Sequence, residues 1–460
     1  EGFRGMIYLM TSGGGLTALE TARRFPIRLV ESGPAGGAIL AANVAAERGE
    51  DKVLSFDMGG TTAKICLIQH YTPFKSRSFE VDRAARFLKG SGLPLRIPVI
   101  EMVEIGAGGG SIARIDALKR IVVGPDSAGA EPGPASYGRG GAQPTVTDAD
   151  LVIGKIDDKR FAGGTIALDV PAAHRALNQA IGADLALTDE MAAYGVGEIV
   201  DETMANAARV HAVERGAVIG EHTLIAFGGA APLHAARLAE KLGLKRIVVP
   251  PNAGVGSAVG FLQAPVAYEL IHSRYMRLDQ FDPAGANALI DMMAREAHEL
   301  VAPGARGQPT VETRVAYMRY VGQGHEITVT LPVRPLVAGD ADTLRSEFER
   351  EYAQLFERHI PGAAIEALSW SVTVSTEARR PTPIAPPARQ PAPKPVGSRR
   401  YYDARQSTFV EVPVYWRADL TQGATVPGPA IIAEDETSTF VSATFAAWLD
   451  AAGGIVMERR

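Results

Sequence analysis

The sequence predicts an α/β fold, and two segments with paired glycines are the main reason. In the first, SFDMGGTTAKICLI from Ser55 to Ile68, an apolar run, a Gly-Gly turn and an alternating run follow one another. This order is typical of a strand, a tight turn and a second strand. In the second, LIAFGGAAPLHAARLAEKLGLKRIVV from Leu224 to Val249, the order is buried strand, Gly-Gly turn, helix and strand. Strands that alternate with helices in this way favour an α/β sheet.

Length and composition limit the class of protein. At 460 residues the chain is long enough for about three domains. Charged residues make up 22% and the net charge is −5 without a basic stripe, so nucleic acid is not an expected partner. The single cysteine, Cys66, excludes an internal disulfide framework and is expected in a strand core. No apolar run approaches the roughly 20 residues of a membrane helix, and no signal-peptide pattern opens the chain, which predicts a cytoplasmic protein.

The first glycine turn has the residue types of a phosphate-binding loop. Gly59 and Gly60 let backbone N–H groups approach a ligand without a Cβ in the way. Asp57, at the strand end, could hold Mg²⁺ directly or through water, and Thr61 and Thr62 add hydroxyl donors. An ordinary hairpin with a Gly-Gly turn explains the same pattern, and the residues alone leave both interpretations open.

Upstream of this hairpin, small residues are predicted to open a helix. Gly5 to Leu9 is expected to be a buried strand, and SGPAGG, Ser32 to Gly37, runs into a predicted helix from Ala38 to Glu47. Free N–H groups at such a helix start can bind an anion. Small residues can equally allow close packing of the helix on a sheet.

Downstream, a glycine loop from Gly106 to Gly110 leads into a predicted strand and then into a long irregular segment, Val123 to Ile156. That segment is rich in Gly, Pro and Ala but ends on the ordered pattern PTVTDADLVIG, which favours an active-site loop. Asp126, Asp148 and Asp150 are candidate metal-linked carboxylates. Alternatively, Asp148 and Asp150 cap a helix that begins near Ala149.

The second glycine turn is followed by a histidine that could carry chemistry. The turn from Gly228 to Ala231 is predicted to allow close approach of a ligand. His234, one turn into the next helix, could face a cleft as a proton-transfer or polarising group. The preceding sequence is helical: Pro171 to Ile181 and Asp189 to Tyr194 are predicted as short helices, and Gly195 to Gly216 as a long one.

The C-terminal part is predicted to mix helices and strands. Helices over 284–300 and 341–358 flank two alternating strands in TRVAYMRYVGQGHEITVTL. The Pro- and Ala-rich stretch from Arg379 to Ser398 is typical of an extended, semi-rigid linker. Short strands are expected in the remaining segment, 399–460.

These motifs together resemble a known family. DMGGTTAK resembles the phosphate-binding hairpin of the acetate kinase, sugar kinase and actin superfamily. SGPAGG, the PDSAGA…TVTDAD loop, GGAAPLH and RYVGQGHEITV narrow the resemblance to the hydantoinase A / 5-oxoprolinase family, which includes N-methylhydantoinase A and ketone carboxylase subunits. One departure is Ala231, where the family commonly has glycine.

The resemblance implies an actin-like (RNase H-like) ATPase core with a C-terminal α+β and β region. Family members carry an earlier Asp-Gly-Gly-Thr hairpin, so we expect the core here to be incomplete at the N-terminus. The domain boundaries that follow are 1–269 for the ATPase domain, 270–380 for an α+β domain, 381–398 for the linker and 399–460 for a small β subdomain.

The implied function is that of an ATP-dependent hydrolase subunit which opens a cyclic amide (a hydantoin, 5-oxoproline or related lactam) by phosphorylating its carbonyl oxygen. ATP and Mg²⁺ are the implied cofactors, and a hydantoinase B-type subunit is the implied partner in a hetero-oligomer. The alternatives are a subunit of an ATP-dependent ketone carboxylase and a nucleotide-binding module without its own catalysis.

By the same resemblance, each candidate residue has a role. The catalytic candidates are Asp57, Asp126, Asp148 and His234, with Asp57 also the metal ligand. The nucleotide-binding candidates are Gly59, Gly60, Thr61, Thr62, Lys64, Gly228, Gly229 and Ala230.

Overall fold

The computed structural model describes residues 2–81, 91–377 and 381–460. The chain forms two compact units: unit 1 contains residues 1–35, 75–100 and 263–379, and unit 2 contains 36–74, 101–262 and 380–460. The predicted domains were continuous in sequence, whereas both units are built from three separate segments. The physical reason in unit 2 is that strands from the last segment complete its main sheet.

Within the described residues, the α-helices, α1 to α10 in chain order, are Leu19–Arg24, Ser32–Arg48, Val146–Val152, Val170–Leu177, Ala183–Leu185, Asp189–Glu214, Ala231–Leu242, Gly256–Gln263, Pro283–Ala305 and Asp340–Phe356. In the same residues the strands, β1 to β26, are Tyr8–Met10, Leu16–Ala18, Lys52–Met58, Ala63–Gln69, Thr72–Pro73, Lys75–Ser76, Phe79–Val81, Leu93–Leu95, Val99–Ile100, Val103–Ile105, Ser111–Ile115, Ile121–Ser127, Thr223–Phe227, Arg246–Val249, Ala267–Arg277, Thr310–Tyr320, Ile327–Leu331, Ile365–Thr376, Gln390–Pro391, Gly397–Asp403, Thr408–Trp416, Ala424–Pro427, Ala430–Ala433, Ser438–Val441, Phe445–Leu449 and Ile455–Arg459.

Unit 2 is organised around a ten-stranded mixed sheet with the order β10-β4-β3-β13-β14-β26-β25-β22-β19, and β5 pairs with β4. The predicted hairpin is β3 and β4, which pair antiparallel, while β13 runs parallel to β3 and to β14. Four consecutive residues of β3, Val53 to Phe56, are at most 3% exposed, and all of β13 is buried, as expected for central strands of a parallel core. The α/β fold predicted from the sequence is confirmed.

The C-terminal segment of unit 2 contributes strands to this sheet. β26 pairs antiparallel with β14, β25 pairs with β26, and β22 pairs with β25. The predicted linker lies along the far edge, where β19 runs parallel to β22. A further four-stranded sheet, β20-β21-β23-β24, is formed entirely by the same segment.

Two helices of unit 2 differ from prediction. α2 begins at Ser32 and therefore includes SGPAGG; a Cβ at Gly36 or Gly37 would lie 2.3 Å from the Phe261 ring or 2.8 Å from the Phe227 ring. This supports the close-packing interpretation of these glycines. α6 is one helix across the predicted break at Gly195, because that glycine packs against Ile121 of β12.

Unit 1 contains a four-stranded antiparallel sheet, β15-β18-β16-β17, with α9 and α10 packed against it. Its core includes Trp370, Phe348 and Met293, each 0% exposed. The two predicted alternating strands are β16 and β17, which confirms that part of the sequence pattern. Among the described residues, no helix combines the length and the apolar character needed to cross a membrane.

Candidate functional site

The two glycine turns lie side by side at one edge of the unit 2 sheet. Because β3 and β13 are parallel and Asp57 pairs with Phe227, both turns leave the sheet at the same end. The backbone N–H of Ala230 donates to the carbonyl of Met58 at 3.0 Å. The glycine turn after β3 and the glycine turn before α7 therefore form one continuous surface.

The turn at Gly59 and Gly60 is supported from behind by the predicted glycine loop. The N–H of Gly109 donates to Gly59 O at 3.0 Å, and that of Gly110 donates to Gly60 O at 2.6 Å. Thr147, at the start of α3, donates to Gly109 O from both its N–H (2.7 Å) and its hydroxyl (2.9 Å). The long irregular segment thus acts through α3 to hold the turn in place.

In front of the turn there is open space. A Cβ at Gly59 or Gly60 would meet nothing within 4 Å. In the part of the chain that the structure describes, the N–H groups of Gly60 and Thr61 donate to no acceptor. Backbone donors without partners at an open glycine turn are the donor set that phosphate oxygens require.

Both glycine turns line the same cavity, which has a volume of about 380 Å³. Gly59 and Gly60 contribute from one turn, and Gly229 and Ala230 from the other. The remaining lining residues come from the loop after α3, from α7 and from the C-terminal segment: Gly109, Tyr137, Thr147, Asp150, Ile156, Asp157, Arg160, Phe161, Ala162, Leu233, Val396, Gly397, Ser398, Arg399, Val414, Trp416, Ala433, Glu434, Asp435, Glu436, Thr437 and Ser438.

Gly228 fixes the junction between the two turns, so its replacement is expected to damage the cavity. It has φ +95°, and an added Cβ would lie 2.4 Å from Met58 O and 2.6 Å from Asp57 Oδ1. We expect Gly228→Ala to lower the free energy of unfolding by about 2 kcal/mol or more, through backbone strain and the clash. Denaturant titration measures this change. Gly220→Ala is the matched control, since its Cβ would meet nothing within 4 Å. Equal effects of the two substitutions would contradict the proposed geometry.

Asp57 lies at the end of β3, next to the turn. Its Oδ2 accepts a hydrogen bond from the Ser257 hydroxyl of α8 at 3.0 Å. Burial raises the pKa of the Asp57 carboxyl, while the Ser257 hydrogen bond and the Lys64 charge oppose that shift. A partly desolvated carboxylate beside a donor-rich turn is a suitable oxygen ligand for a cation that also binds phosphate.

The other polar candidates of the hairpin interact mainly with each other. Lys64 Nζ donates to the Thr62 hydroxyl at 2.7 Å and forms an ion pair with Glu104 at 3.4 Å. Thr61 is exposed and follows the turn directly. Thr61, Thr62 and Lys64 therefore border the turn, whereas Gly59 and Gly60 face the cavity.

Asp148 and Asp126 are not brought together with Asp57. Asp148 is 0% exposed and accepts hydrogen bonds from the N–H groups of Ala135, Ser136 and Thr145 and from the Thr145 hydroxyl, at 2.8–3.1 Å. It completes a capping box for α3, so this geometry favours the helix-cap interpretation over catalysis. Asp126 lies in β12 with a 72% exposed side chain, 3.6 Å from Arg114, outside the cavity lining.

His234 is at the centre of a buried charged cluster that also contains Asp150, Asp201 and Lys155. His234 Nδ1 is 2.8 Å from Asp201 Oδ1, and its Nε2 is 3.0 Å from Asp150 Oδ2. Lys155 Nζ is 3.2 Å from Asp150 Oδ1. These contacts join α7 to α6 and to α3.

The charges of this cluster stabilise one another. Burial by itself would lower the pKa of His234, but the carboxylates of Asp150 and Asp201 outweigh it and raise the pKa to about 9. Burial would likewise raise the pKa of Asp150, but Lys155 and His234 hold it at about 2. The imidazole is 0% exposed, and both of its nitrogens lie within hydrogen-bond distance of a carboxylate. This geometry favours a buried charged link between helices over the predicted proton-transfer role.

Several residues that line the cavity were not predicted from the sequence. Trp416, Arg160 and Phe161 supply aromatic and guanidinium surface, and Thr437 donates from its hydroxyl to Gly229 O at 2.9 Å. The signal that could have found Thr437 is the family-like string GPAIIAEDE directly before it. No local pattern distinguishes Trp416 from a core residue of its strand.

Comparison with known proteins places the chain in a family. The hydantoinase/oxoprolinase family model matches residues 1–270. The chain belongs to the hydantoinase/oxoprolinase family. The model of the hydantoinase/oxoprolinase C-terminal domain matches residues 286–455, so the resemblance expected from the sequence motifs is confirmed.

Relatives within the hydantoinase/oxoprolinase family have different names and lengths. The chain is 33% identical to caprolactamase subunit alpha of Pseudomonas jessenii (94% of this chain, 61% of the relative). It is 28% identical to the acetophenone carboxylase gamma subunit of Aromatoleum aromaticum (100% and 63%) and 30% identical to a 5-oxoprolinase of Pestalotiopsis fici (98% and 35%). The chain spans less than two thirds of the length of each of these proteins.

Two solved structures also match this chain over nearly its whole length. The ATP-dependent caprolactamase of Pseudomonas jessenii matches with a TM-score of 0.79 and 30% identity, over 98% of this chain and 65% of that one. A nucleotide-free acetone carboxylase structure matches with a TM-score of 0.79 and 25% identity, over 100% and 65%. The family contains ATP-dependent lactam hydrolases and ketone carboxylases.

Proposed function

We propose that this chain is the nucleotide-binding part of an ATP-dependent enzyme that activates a carbonyl oxygen by phosphorylation, with a cyclic amide as substrate. The observation that carries the proposal is that both glycine turns, at Gly59–Gly60 and at Gly229–Ala230, line one cavity. Gly60, whose N–H donates to no acceptor among the described residues, thereby borders the same volume as the second turn, and free backbone donors of this kind bind phosphate oxygens.

The residues of the turn suit both proposed cofactors. When bound, ATP supplies the phosphoryl group that makes a lactam oxygen a leaving group. Gly60, which lines the cavity, and the adjacent Thr61 would present N–H groups to the phosphate oxygens. Asp57, which lies next to the turn but outside the cavity lining, would hold Mg²⁺. Among the described residues, no group of three or more His, Cys, Asp and Glu side chains is arranged to hold a metal ion. One carboxylate nevertheless suffices for Mg²⁺, which takes its other ligands from phosphate and water.

The choice of cyclic amide over ketone rests on the relatives. A caprolactamase subunit and a 5-oxoprolinase, both named for lactams, are 33% and 30% identical to this chain, whereas the acetophenone carboxylase subunit is 28% identical. Carboxylation of a ketone is the alternative reaction, since it also begins with activation of a carbonyl oxygen. Relatives named as subunits support a partner chain, for which a hydantoinase B-type subunit is our proposal.

Calorimetric titration with Mg-ATP, followed by a phosphate-release assay with and without the candidate partner, tests the proposal. We expect binding by the chain and phosphate release that depends on both the partner and a lactam. Incorporation of labelled bicarbonate into a ketone, without lactam opening, would replace the hydrolase by the carboxylase. Binding without release under every condition would identify a nucleotide-binding module. Absence of Mg-ATP binding would refute the proposed site.

A further inference from the structure

The cavity of unit 2 is also lined by aromatic and aliphatic residues that the phosphate site does not use. Trp416 and Phe161 line it together with the aliphatic part of the wall at Val396 and Val414. The Arg160 guanidinium lies 4.1 Å from the centroid of the Trp416 ring, and the Phe161 ring lies 5.7 Å from that of Tyr137. We call the residues Tyr137, Arg160, Phe161 and Trp416 the aromatic wall.

The fold brings the aromatic wall together from distant segments. Trp416 is the last residue of β21 and pairs with Ala433 of β23. Phe161 begins a short 3₁₀ helix, Phe161–Gly164, and the Gly163 N–H donates to Asp435 O at 2.9 Å. The segment after α3 is therefore tied to the loop that follows β23.

The same loop connects the aromatic wall to the glycine turns. At one end Ala433 pairs with Trp416, and at the other the Thr437 hydroxyl donates to Gly229 O. The loop is a tight hairpin turn, in which Ala433 pairs with Ser438 and the Glu434 N–H donates to Thr437 O at 3.1 Å. A nucleotide in this cavity can therefore contact Trp416 and the glycine turns together.

The charges of the loop favour different parts of a nucleotide at the glycine turns and at the aromatic wall. Glu434, Asp435 and Glu436 line the cavity, and Glu434 is paired with Arg417 at 2.8 Å. The carboxylates of Asp435 and Glu436 repel phosphate but accept hydrogen bonds from hydroxyl groups. Aromatic and guanidinium planes attract the π-face of a base in a sequence-tolerant way. Phosphates are thus directed to the glycine turns and the base to the aromatic wall.

Trp416 differs from the other two tryptophans of the chain. Trp370 is 0% and Trp448 is 5% exposed, so both are core residues. Trp416 is only partly buried and faces the cavity. A partly exposed tryptophan with a stacked arginine in a cavity wall is a surface to which a planar ligand can bind.

We propose that Trp416 and Arg160 are nucleobase-binding residues, and that a purine ring stacks on this wall while the phosphates lie at Gly59 and Gly60. The inference rests on the proposed function, because it assumes that the glycine turns bind a nucleotide. It adds that the base is recognised by Trp416 of the C-terminal segment and by Arg160 of the segment after α3.

The test compares Mg-ATP with Mg-tripolyphosphate, which has the phosphates but no base, by calorimetry on the full chain. Trp416→Ala and Arg160→Met should each weaken ATP binding, Trp416→Ala by about tenfold, and leave tripolyphosphate binding unchanged. Trp416→Phe retains an aromatic ring and should restore most of the affinity. Arg160 is exposed, so its variant remains informative even if Trp416→Ala fails to fold.

Tryptophan fluorescence gives an independent readout. Mg-ATP should quench the unaltered chain and the control Trp448→Phe, but not Trp416→Phe, while tripolyphosphate should leave the emission unchanged. Equal losses of ATP and tripolyphosphate affinity, or unchanged ATP affinity in both Trp416→Ala and Arg160→Met, would overturn the base-binding wall and leave the phosphate site intact. Failure of the unaltered chain to bind either ligand would overturn both proposals.

Discussion

Replacement of His234 by alanine is expected to destabilise unit 2 by about 3–5 kcal/mol, because it leaves buried carboxylates without their cation. Asp201 would lose the imidazole at 2.8 Å, and Asp150 would keep only Lys155. The loss should be visible as a lower denaturation midpoint in urea, followed by fluorescence of the full chain.

The same cluster predicts how stability depends on pH. The His234 pKa is about 9 in the folded protein, against 6.5 for an ordinary histidine. A raised pKa means that the stabilisation is complete below pH 6.5 and is lost as pH rises through 9. The contribution at stake is about 3 kcal/mol. The groups that face His234 are Asp150 on α3 and Asp201 on α6, with Lys155 beside Asp150.

A control substitution at a second histidine separates the effect of removing His234 from the effect of removing any paired histidine. His174 Nδ1 is 3.0 Å from Asp189 Oδ2, but its side chain is 33% exposed, so His174→Gln should change the midpoint little. In His234→Gln the decline in stability between pH 6.5 and 9 should flatten, since the titrating group is gone. An unchanged pH profile in that variant would show that His234 is not the buried cation described above.

Substitution of Asp57 by asparagine is expected to reduce ATP-dependent phosphate release by at least about 100-fold in the complex with its partner. Asparagine keeps the shape and can still accept from Ser257, whereas it loses the charge that would hold Mg²⁺. Since burial raises the pKa of Asp57, removal of the charge should leave stability equal or higher. Lost activity with retained stability is the signature of a functional residue.

Ser257→Ala is the matched control for Asp57→Asn, because it removes the hydrogen bond and retains the carboxylate. We expect it to keep most of the turnover. Phosphate release by Asp57→Asn at the rate of the unaltered chain would refute the metal-binding role of Asp57, and loss of turnover in Ser257→Ala alone would move the key interaction to the serine.

The local sequence was sufficient to locate the two glycine turns. The strand, turn and strand around Gly59 and the strand, turn and helix around Gly228 depend on short-range patterns: apolar runs interrupted by residues that permit close approach. The parallel pairing of β3 and β13 then brings the turns together. The two turns were therefore predictable from residues a few positions apart, whereas their meeting depends on the pairing of β3 with the distant β13.

Other features depend on contacts between distant segments, and the sequence did not reveal them. His234 looked like a residue of a cleft, and only its contacts with Asp150 and Asp201 show that both nitrogens are occupied. Trp416 lies in an ordinary strand pattern, and its place in the cavity follows from the pairing of β21 with β23. Tertiary packing decides such roles, and periodicity carries no information about them.

The antiparallel addition of β26 to β14 has a consequence for synthesis on the ribosome. β14 ends at residue 249, but its neighbour starts at residue 455, so translation at about 5–20 residues per second leaves an interval on the order of 10–40 s. Throughout that interval β14 is an unpaired edge strand of the nascent sheet. Its residues Ile247, Val248 and Val249 are 0% exposed in the folded chain. Such an unpaired edge is a template for association with other chains until β26 emerges.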